Sequence, residues 1–590
     1  MNCQIFHPRR RQVASRNIHC YAFFLIFFLP AWSCAYAAKS GKLRQLGTAS
    51  PNTTREILLP FPLVKGKSIS NLIYGTSAWS LRADESKLAF PLRRFGGNSS
   101  SRYNYQVNAT NAGSDWFFMN VPLSYIAVPQ GSRIAREAPV DVQKLSVTNY
   151  WALEQTTDHR EFLLTIPMLG WVAKDREQHW SYPVHRYGPQ QSVEYQTSGG
   201  DAGNGLDRQG RPILTGDASL TSVSVGPEFA VDWLKHLGQV TGKSAANGGV
   251  RFVALDNEPS LWHKTHQDLR YSNSRNSESG PVGFDEIWNL TVSYASALKK
   301  ADPDIQILGP DAWGWCDYFG YGKDQCEQGL DRLRHGGKPF LQWYMQKVCE
   351  YRQKHGVQLI DYLDIHYYPA TVASHSAETP AEQDKRLQAV RTWYDPTYRD
   401  GSWIREPIAL IPRMRAWIQE SCPGMKLAIT EWRWGVSTAS ISNALAHAES
   451  LLIFGREGVD LASLWNDLHD GSLGDLAFKI FLDYDGHGAS ALGGTSVAVQ
   501  ATDAQLYPAY AIMTQNRVLL YIFNKSREGH EVKLNLHPSL QIQRRFLLDD
   551  KGLKEQDNSL SQAVMLPQLS VTLLELKQQV ANKAPAGALR

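Results

Sequence analysis

Three apolar runs in this chain end in residues able to do acid–base chemistry. Phe252 to Leu255 leads into Asp256-Asn257-Glu258, a second run leads into His366-Tyr367-Tyr368, and Leu427-Ala428-Ile429-Thr430 leads into Glu431-Trp432. Two carboxylates brought to one mouth suit glycoside hydrolysis, in which one carboxyl protonates the departing oxygen and the other attacks the anomeric carbon or activates water. Asn257 sharpens the pattern, because an amide beside the acid is placed to hydrogen-bond a sugar 2-hydroxyl. Trp262, Trp313, Trp315, Trp432, Trp434 and Trp465 fall in or just after strand-end segments, where sugar rings stack. For any single tryptophan, packing at the rim is the commoner role.

Positioning such residues requires strands that stop at a common mouth. Eight short apolar runs alternate with longer amphipathic ones: Asn71–Ser77, Leu88–Phe95, Phe162–Leu169, Val250–Leu255, Ile305–Gly309, Tyr362–His366, Lys426–Thr430 and Val459–Trp465. Helical spacing of apolar residues lies between them at Glu228–Leu237, Phe284–Lys300, Phe340–Lys354, Pro407–Ile418 and Ile441–Gly455. The pattern predicts an α/β chain, a (β/α)8 barrel with an accessory β-sandwich. A doubly wound open sheet is disfavoured, since no Gly-rich phosphate loop follows the first strand. The predicted organisation is a secretory signal over 1–37 and a segment at 38–66 whose strand joins the sandwich. The barrel follows over 67–490, the sandwich over 491–580 and a tail over 581–590.

The signal reading rests on Arg9, Arg10, Arg11 and Arg16, the apolar run Tyr21 to Trp32, and Ala35-Tyr36-Ala37, with cleavage expected near Ala37. Without those four arginines, Lys+Arg equals the 57 Asp+Glu, so the mature chain lacks the basic footprint of a nucleic-acid binder. No later run approaches the roughly 20 apolar residues of a membrane span. Export favours disulfides. Cys316 and Cys326 are either bridged or free buried thiols, and the wide spacing of the four later cysteines argues against zinc.

The chain resembles glycoside hydrolase family 44. The matching stretches are Arg94-Phe95-Gly96-Gly97-Asn98, Arg102-Tyr103-Asn104, Asp115-Trp116, Thr165-Ile166-Pro167-Met168, Ala173-Lys174-Asp175, Asp201-Ala202-Gly203-Asn204-Gly205, Leu255-Asp256-Asn257-Glu258-Pro259, Asp364-Ile365-His366-Tyr367-Tyr368-Pro369 and Ile429-Thr430-Glu431, in the family's order. The resemblance implies a retaining endo-β-1,4-glucanase, with activity on xyloglucan in several members. It assigns Glu258 as acid/base and Glu431 as nucleophile, with one of Tyr367 or Tyr368 holding the nucleophile. Expected substrate contacts are Asn257, Arg94, Asn98, His366, Tyr367, Tyr368, Trp262, Trp313, Trp432 and Trp465. One departure is Trp432-Arg433-Trp434, where a Tyr-Asn-type continuation is expected; it bears on sugar contacts rather than on the chemistry. Family members can carry a structural calcium, for which Asp201, Asn204 and Asp207 offer oxygen ligands, although a turn rich in Asp and Gly explains them equally well. No organic cofactor is expected; the expected partner is a polysaccharide and the expected state a monomer. The rival readings are a xylanase or mannanase on the same barrel and a non-catalytic carbohydrate binder.

Overall fold

The computed structural model describes residues 55–578 except 80–83, 129, 139–143, 272–279, 372–377, 436–438, 466–467, 516 and 558–561. The signal, its cleavage point and the C-terminal tail lie outside the described residues.

Eight parallel strands close a barrel: β1 (Gly75–Ser77), β2 (Leu92–Phe95), β3 (Glu161–Ile166), β4 (Phe252–Leu255), β5 (Gln306–Ala312), β6 (Tyr362–Tyr367), β7 (Lys426–Trp432) and β8 (Leu461–Leu464). Pairing of Ser463 with Gly75 completes the ring. Each strand is built from one of the apolar runs, and alternation sends every second side chain inward. At the start of the strands the inward residues are Leu92, Leu163, Phe252, Ala254, Leu308, Tyr362, Ala428 and Leu461, which form a closed apolar floor.

The intervening residues face the helices. Phe284–Ala301 shows why such a segment is helical: Phe284, Ile287, Thr291, Tyr294, Ala295 and Leu298 make a buried stripe at three- and four-residue spacing. Asp285 and Glu286 sit in the first turn and Lys299 and Lys300 in the last, each matching the helix dipole. A disulfide joins Cys349, on helix Phe340–His355, to Cys422, which ends helix Leu410–Ser421. Cys316 and Cys326 are also bridged, across the loop that follows β5.

The flanks pack as two further sheets, one of four strands and one of seven. Glu56–Leu58 lies between Gln500–Ala501 and His530–Asn535, and Lys65–Ser68 pairs with Thr495–Val497, so N-terminal chain enters both sheets. Along Arg517–Asn524, Val518, Leu520 and Ile522 pack between the sheets, while Leu519, Tyr521 and Phe523 pack on the barrel side. At that seam Lys525 meets Glu449 of the barrel helix Ile441–Glu457 at 2.6 Å, both buried.

Candidate active site

At the C-terminal ends of the strands the inward face turns polar. Two residues beyond the floor, Arg94 follows Leu92, Thr165 follows Leu163, Asp364 follows Tyr362 and Thr430 follows Ala428. β4 ends in a strained step: Asp256 and Glu258 both adopt positive φ, 66° and 47°, in the left-handed region that non-glycine residues avoid. The Asp256 carboxylate holds this step by accepting the N–H groups of Met168, Leu169 and Asn257, the Ser101 hydroxyl and the Trp262 indole N–H. Strain of this kind persists only where the surroundings over-determine it.

β7 solves a different problem. Ile365 pairs with Ile429 but His366 pairs with Glu431, so β7 carries one extra residue at Thr430. The bulge lets two consecutive side chains reach the barrel interior. Thr430 donates its hydroxyl to Asp364 at 2.8 Å and contacts His366 Nε2 at 3.1 Å. Glu431 receives Arg94 Nη1 at 2.6 Å and the Tyr368 hydroxyl at 2.7 Å.

A carboxylate oxygen of Glu258, one of Glu431 and a ring nitrogen of His366 all lie within 4.8 Å of one another. His366 is wholly buried, with Nδ1 2.8 Å from Glu258 Oε1 and Nε2 2.9 Å from Asp311 Oδ1. Arg94, equally buried, also reaches Asn257 Oδ1 at 2.9 Å and Asp311 Oδ2 at 3.4 Å. Asn257 is oriented from both sides: its oxygen accepts the Gly97 N–H and its nitrogen donates to Asn98. Gly97 has φ 88°, and a Cβ there would stand 2.3 Å from the Trp465 ring, so only glycine brings this N–H to the amide.

Burial dominates the electrostatics. Loss of solvent raises the Glu258 carboxyl to about 7; the adjacent His366 opposes the rise and the Glu431 charge adds to it. Asp364 is raised as well, by burial and then by Asp311. For His366 burial works against the charge, but Asp311 and Glu431 outweigh it and hold the imidazole protonated well above its ordinary range. Glu258 and Asp364 are thus held towards their neutral forms, and a proton retained on Glu258 is what a general acid requires.

The family profile of glycoside hydrolase family 44 matches residues 109–371. The β-mannanase/endoglucanase A of Caldicellulosiruptor saccharolyticus is 27% identical over 500 residues, which is 79% of this chain. The chain spans 34% of that protein's length and 62% of a second curated relative's. Among solved structures, CelM2, a bifunctional glucanase-xylanase from a metagenome library, is 28% identical, with TM-score 0.78 over 89% of this chain and 99% of CelM2. A Paenibacillus polymyxa xyloglucanase of family 44 is 26% identical, with TM-score 0.68 over 89% of this chain and all of that one.

Residues 109–371 thus match glycoside hydrolase family 44, and the fold is shared with CelM2 and the Paenibacillus polymyxa xyloglucanase.

In this chain the structure gathers Arg94, Asn257, Glu258, His366, Tyr368 and Glu431 into one hydrogen-bonded frame. Asn98 and Trp465 border it: Asn98 touches Asn257 and Asp115, and Trp465 lies over Arg94. Trp313 is half-buried on the loop after β5. Arg94 and His366 lie wholly buried beneath the carboxylates, bonded to protein through both terminal guanidinium nitrogens and both ring nitrogens, so they hold the acids rather than a sugar. Of the two tyrosines it is Tyr368 that holds Glu431.

Three expected sugar contacts are turned into the core instead. Tyr367 follows inward His366 and so points outward, against Trp393. Strict alternation from Thr430 would aim Trp432 into the barrel, but the bulge reverses it, and its ring packs on Trp393, His447 and Phe454. Trp262 is folded under the Glu258 turn by its bond to Asp256.

The calcium ligands also find other employment. Asp201 accepts from the His185 backbone and ring and from Trp180, Asp207 is engaged by Arg211 and by two backbone N–H groups, and the Asn204 oxygen caps Ser192 and Leu206. Oxygens satisfied in this way by separate turns do not fit a shared calcium. Among the described residues, Glu258, His366 and Glu431 form the one cluster of His, Cys, Asp or Glu with converging ligand atoms. The Arg94 cation 2.6 Å from Glu431 makes it an ion-pair network rather than a metal cage.

Sequence reading missed Asp311. Gly309-Pro310-Asp311 follows Ile307-Leu308 by the same rule that singled out the ends of β4, β6 and β7, so the signal was present.

Proposed function

We propose that this chain is an exported, retaining endo-β-1,4-glucanase that cleaves internal linkages of cellulose-type glucans and xyloglucan. The observation that carries the mechanism is the approach of the two carboxylates, with oxygens within 4.8 Å. That suits the separation of about 5–5.5 Å used in double displacement and leaves no room for the attacking water that inverting sites hold in a gap of about 6.5–9.5 Å. Glu431, aligned by Arg94 and Tyr368, attacks the anomeric carbon while Glu258 gives its proton to the departing oxygen. Glu258, now a carboxylate, then takes a proton from the water that releases the glycosyl-enzyme. Asn257 faces the reacting sugar, and Trp465 and Trp313 offer rings to its neighbours.

Similarity to proteins described as endoglucanase, glucanase-xylanase and xyloglucanase supports the glucan assignment. The same relatives keep xylan and mannan as second candidates, since one is named a β-mannanase and another a xylanase. Release of reducing sugar from carboxymethylcellulose, xyloglucan, xylan and mannan by wild type and Glu258→Gln, with product anomers followed by NMR, tests the whole reading. Initial α-anomers, or activity confined to xylan or mannan, would overturn it.

A further inference from the structure

The carboxylate that touches the holders of both acids is neither acid. Asp311 stands on a bulge in β5: Gly309 pairs with Leu363 but Ala312 pairs with Ile365, and Asp311 itself takes φ 57°. It is wholly buried, and its polar contacts are to Glu258, His366 and Arg94. Oδ1 receives the Glu258 backbone N–H at 3.3 Å and lies 2.9 Å from His366 Nε2, while Oδ2 receives Arg94 Nη2 at 3.4 Å.

We propose that Asp311 is a positioning residue for the acid/base: by holding a proton on His366 Nε2 it leaves Nδ1–H to donate to Glu258 Oε1, so that the Glu258 proton resides on Oε2. The proposal rests on Glu258 being the acid/base.

The argument is one of donors and acceptors. An ionised aspartate only accepts, so the nitrogen facing it carries hydrogen. Thr430 Oγ1, the other neighbour of Nε2 at 3.1 Å, accepts from the ring while its hydroxyl donates to Asp364. Nε2–H is thus required by Asp311, and Thr430 is placed to share it. The protonated ring then has one N–H left, at Nδ1, whose neighbours are Glu258 Oε1 at 2.8 Å and Glu431 Oε2 at 3.5 Å. A Glu258 oxygen that accepts this bond cannot also hold a proton aimed at the ring. The carboxylic proton is left on the other oxygen, the one free to meet a leaving group. Asp311 adds a second restraint at the strained Glu258 backbone, fixing where that oxygen points.

This role differs from mere support because it concerns only the step that needs a proton. With Asp311→Asn, hydrolysis of an aryl β-cellobioside with a poor leaving group should fall about a hundredfold, as when a general acid is misaligned. A dinitrophenyl leaving group departs without protonation, so the loss there should be only a few-fold. Equal losses on the two substrates would overturn the proposal. Glu258→Gln is the control that separates the two claims: if it shows no leaving-group dependence, Glu258 is not the acid, whatever Asp311 does. Neutron diffraction on the wild type needs no variant to fold. Deuterium on both His366 nitrogens and on Glu258 Oε2 is the expected result; deuterium on Glu258 Oε1, or none on His366 Nε2, would sink the assignment.

Discussion

The two ends of the barrel are made by the same strands and obey opposite rules. At the floor, Leu92, Leu163, Phe252, Leu308, Tyr362, Ala428 and Leu461 interlock without a buried charge among them. Only a few residues further along, Arg94, Asp311, Asp364, His366 and Glu431 put like and unlike charges into an equally buried space. Three acids there, Asp256, Glu258 and Asp311, also carry left-handed backbone. Apolar packing tolerates no gaps but demands no direction, whereas buried charge is stable only when every partner is aimed. Strain and bulges therefore collect at the mouth, where aim matters, and regular geometry at the floor.

If that contrast is right, substitutions at the two ends should separate activity from stability. Glu431→Ala should remove hydrolysis of β-glucan by on the order of 10^4-fold or more while the protein still unfolds cooperatively, measured by turnover beside thermal melting. Phe252→Ala at the floor should do the reverse, costing about 3–5 kcal/mol of stability in denaturant titration while the folded fraction keeps its turnover. Loss of cooperative unfolding in Glu431→Ala, or of turnover per folded molecule in Phe252→Ala, would break the comparison.

The pH dependence is a finer cut. As the proposed acid, Glu258 would act in its protonated form, so kcat/KM should decline as pH rises through about 7, the value to which burial lifts this carboxyl. Stability should follow the same sign. In the unfolded chain carboxyls titrate near about 4, whereas in the fold burial raises Asp256 to about 6 and Asp317 to about 8. The native state keeps protons that the unfolded state has released, so their stabilisation is complete at low pH and is lost as pH climbs through the folded values. Asp311, held low by His366 and Arg94 against its burial, works in the opposite sense. Melting temperature followed between about pH 5 and 8 should fall less steeply in Asp317→Asn than in wild type.

The smallest effects are expected from single contacts. Tyr368→Phe deletes one hydrogen bond to Glu431 and should lower kcat by about tenfold, with little change in KM. An unchanged kcat would mean that Arg94 alone aligns Glu431.

Much of this was legible in sequence. The eight strands came from apolar runs of the right length, and Glu258 and Glu431 from their places at the ends of two of them. The partner of Glu431 was narrowed to two adjacent tyrosines, and alternation about inward His366 explains why it is the second. Illegible were the two bulges. One extra residue in β7 turned Trp432 from a predicted sugar contact into core, and one in β5 brought an unremarked Asp311 into the centre. A bulge leaves no mark in periodicity because it is decided by pairing with the neighbouring strand.

The sequence by itself determined the barrel, the paired acids and the order in which they arrive, since those depend on local pattern. The tertiary structure alone decided which acid holds a proton and which side chain steadies it. The burial and the opposing charges that set those states come from β2, β4, β5, β6 and β7, segments hundreds of residues apart that meet only when the barrel closes.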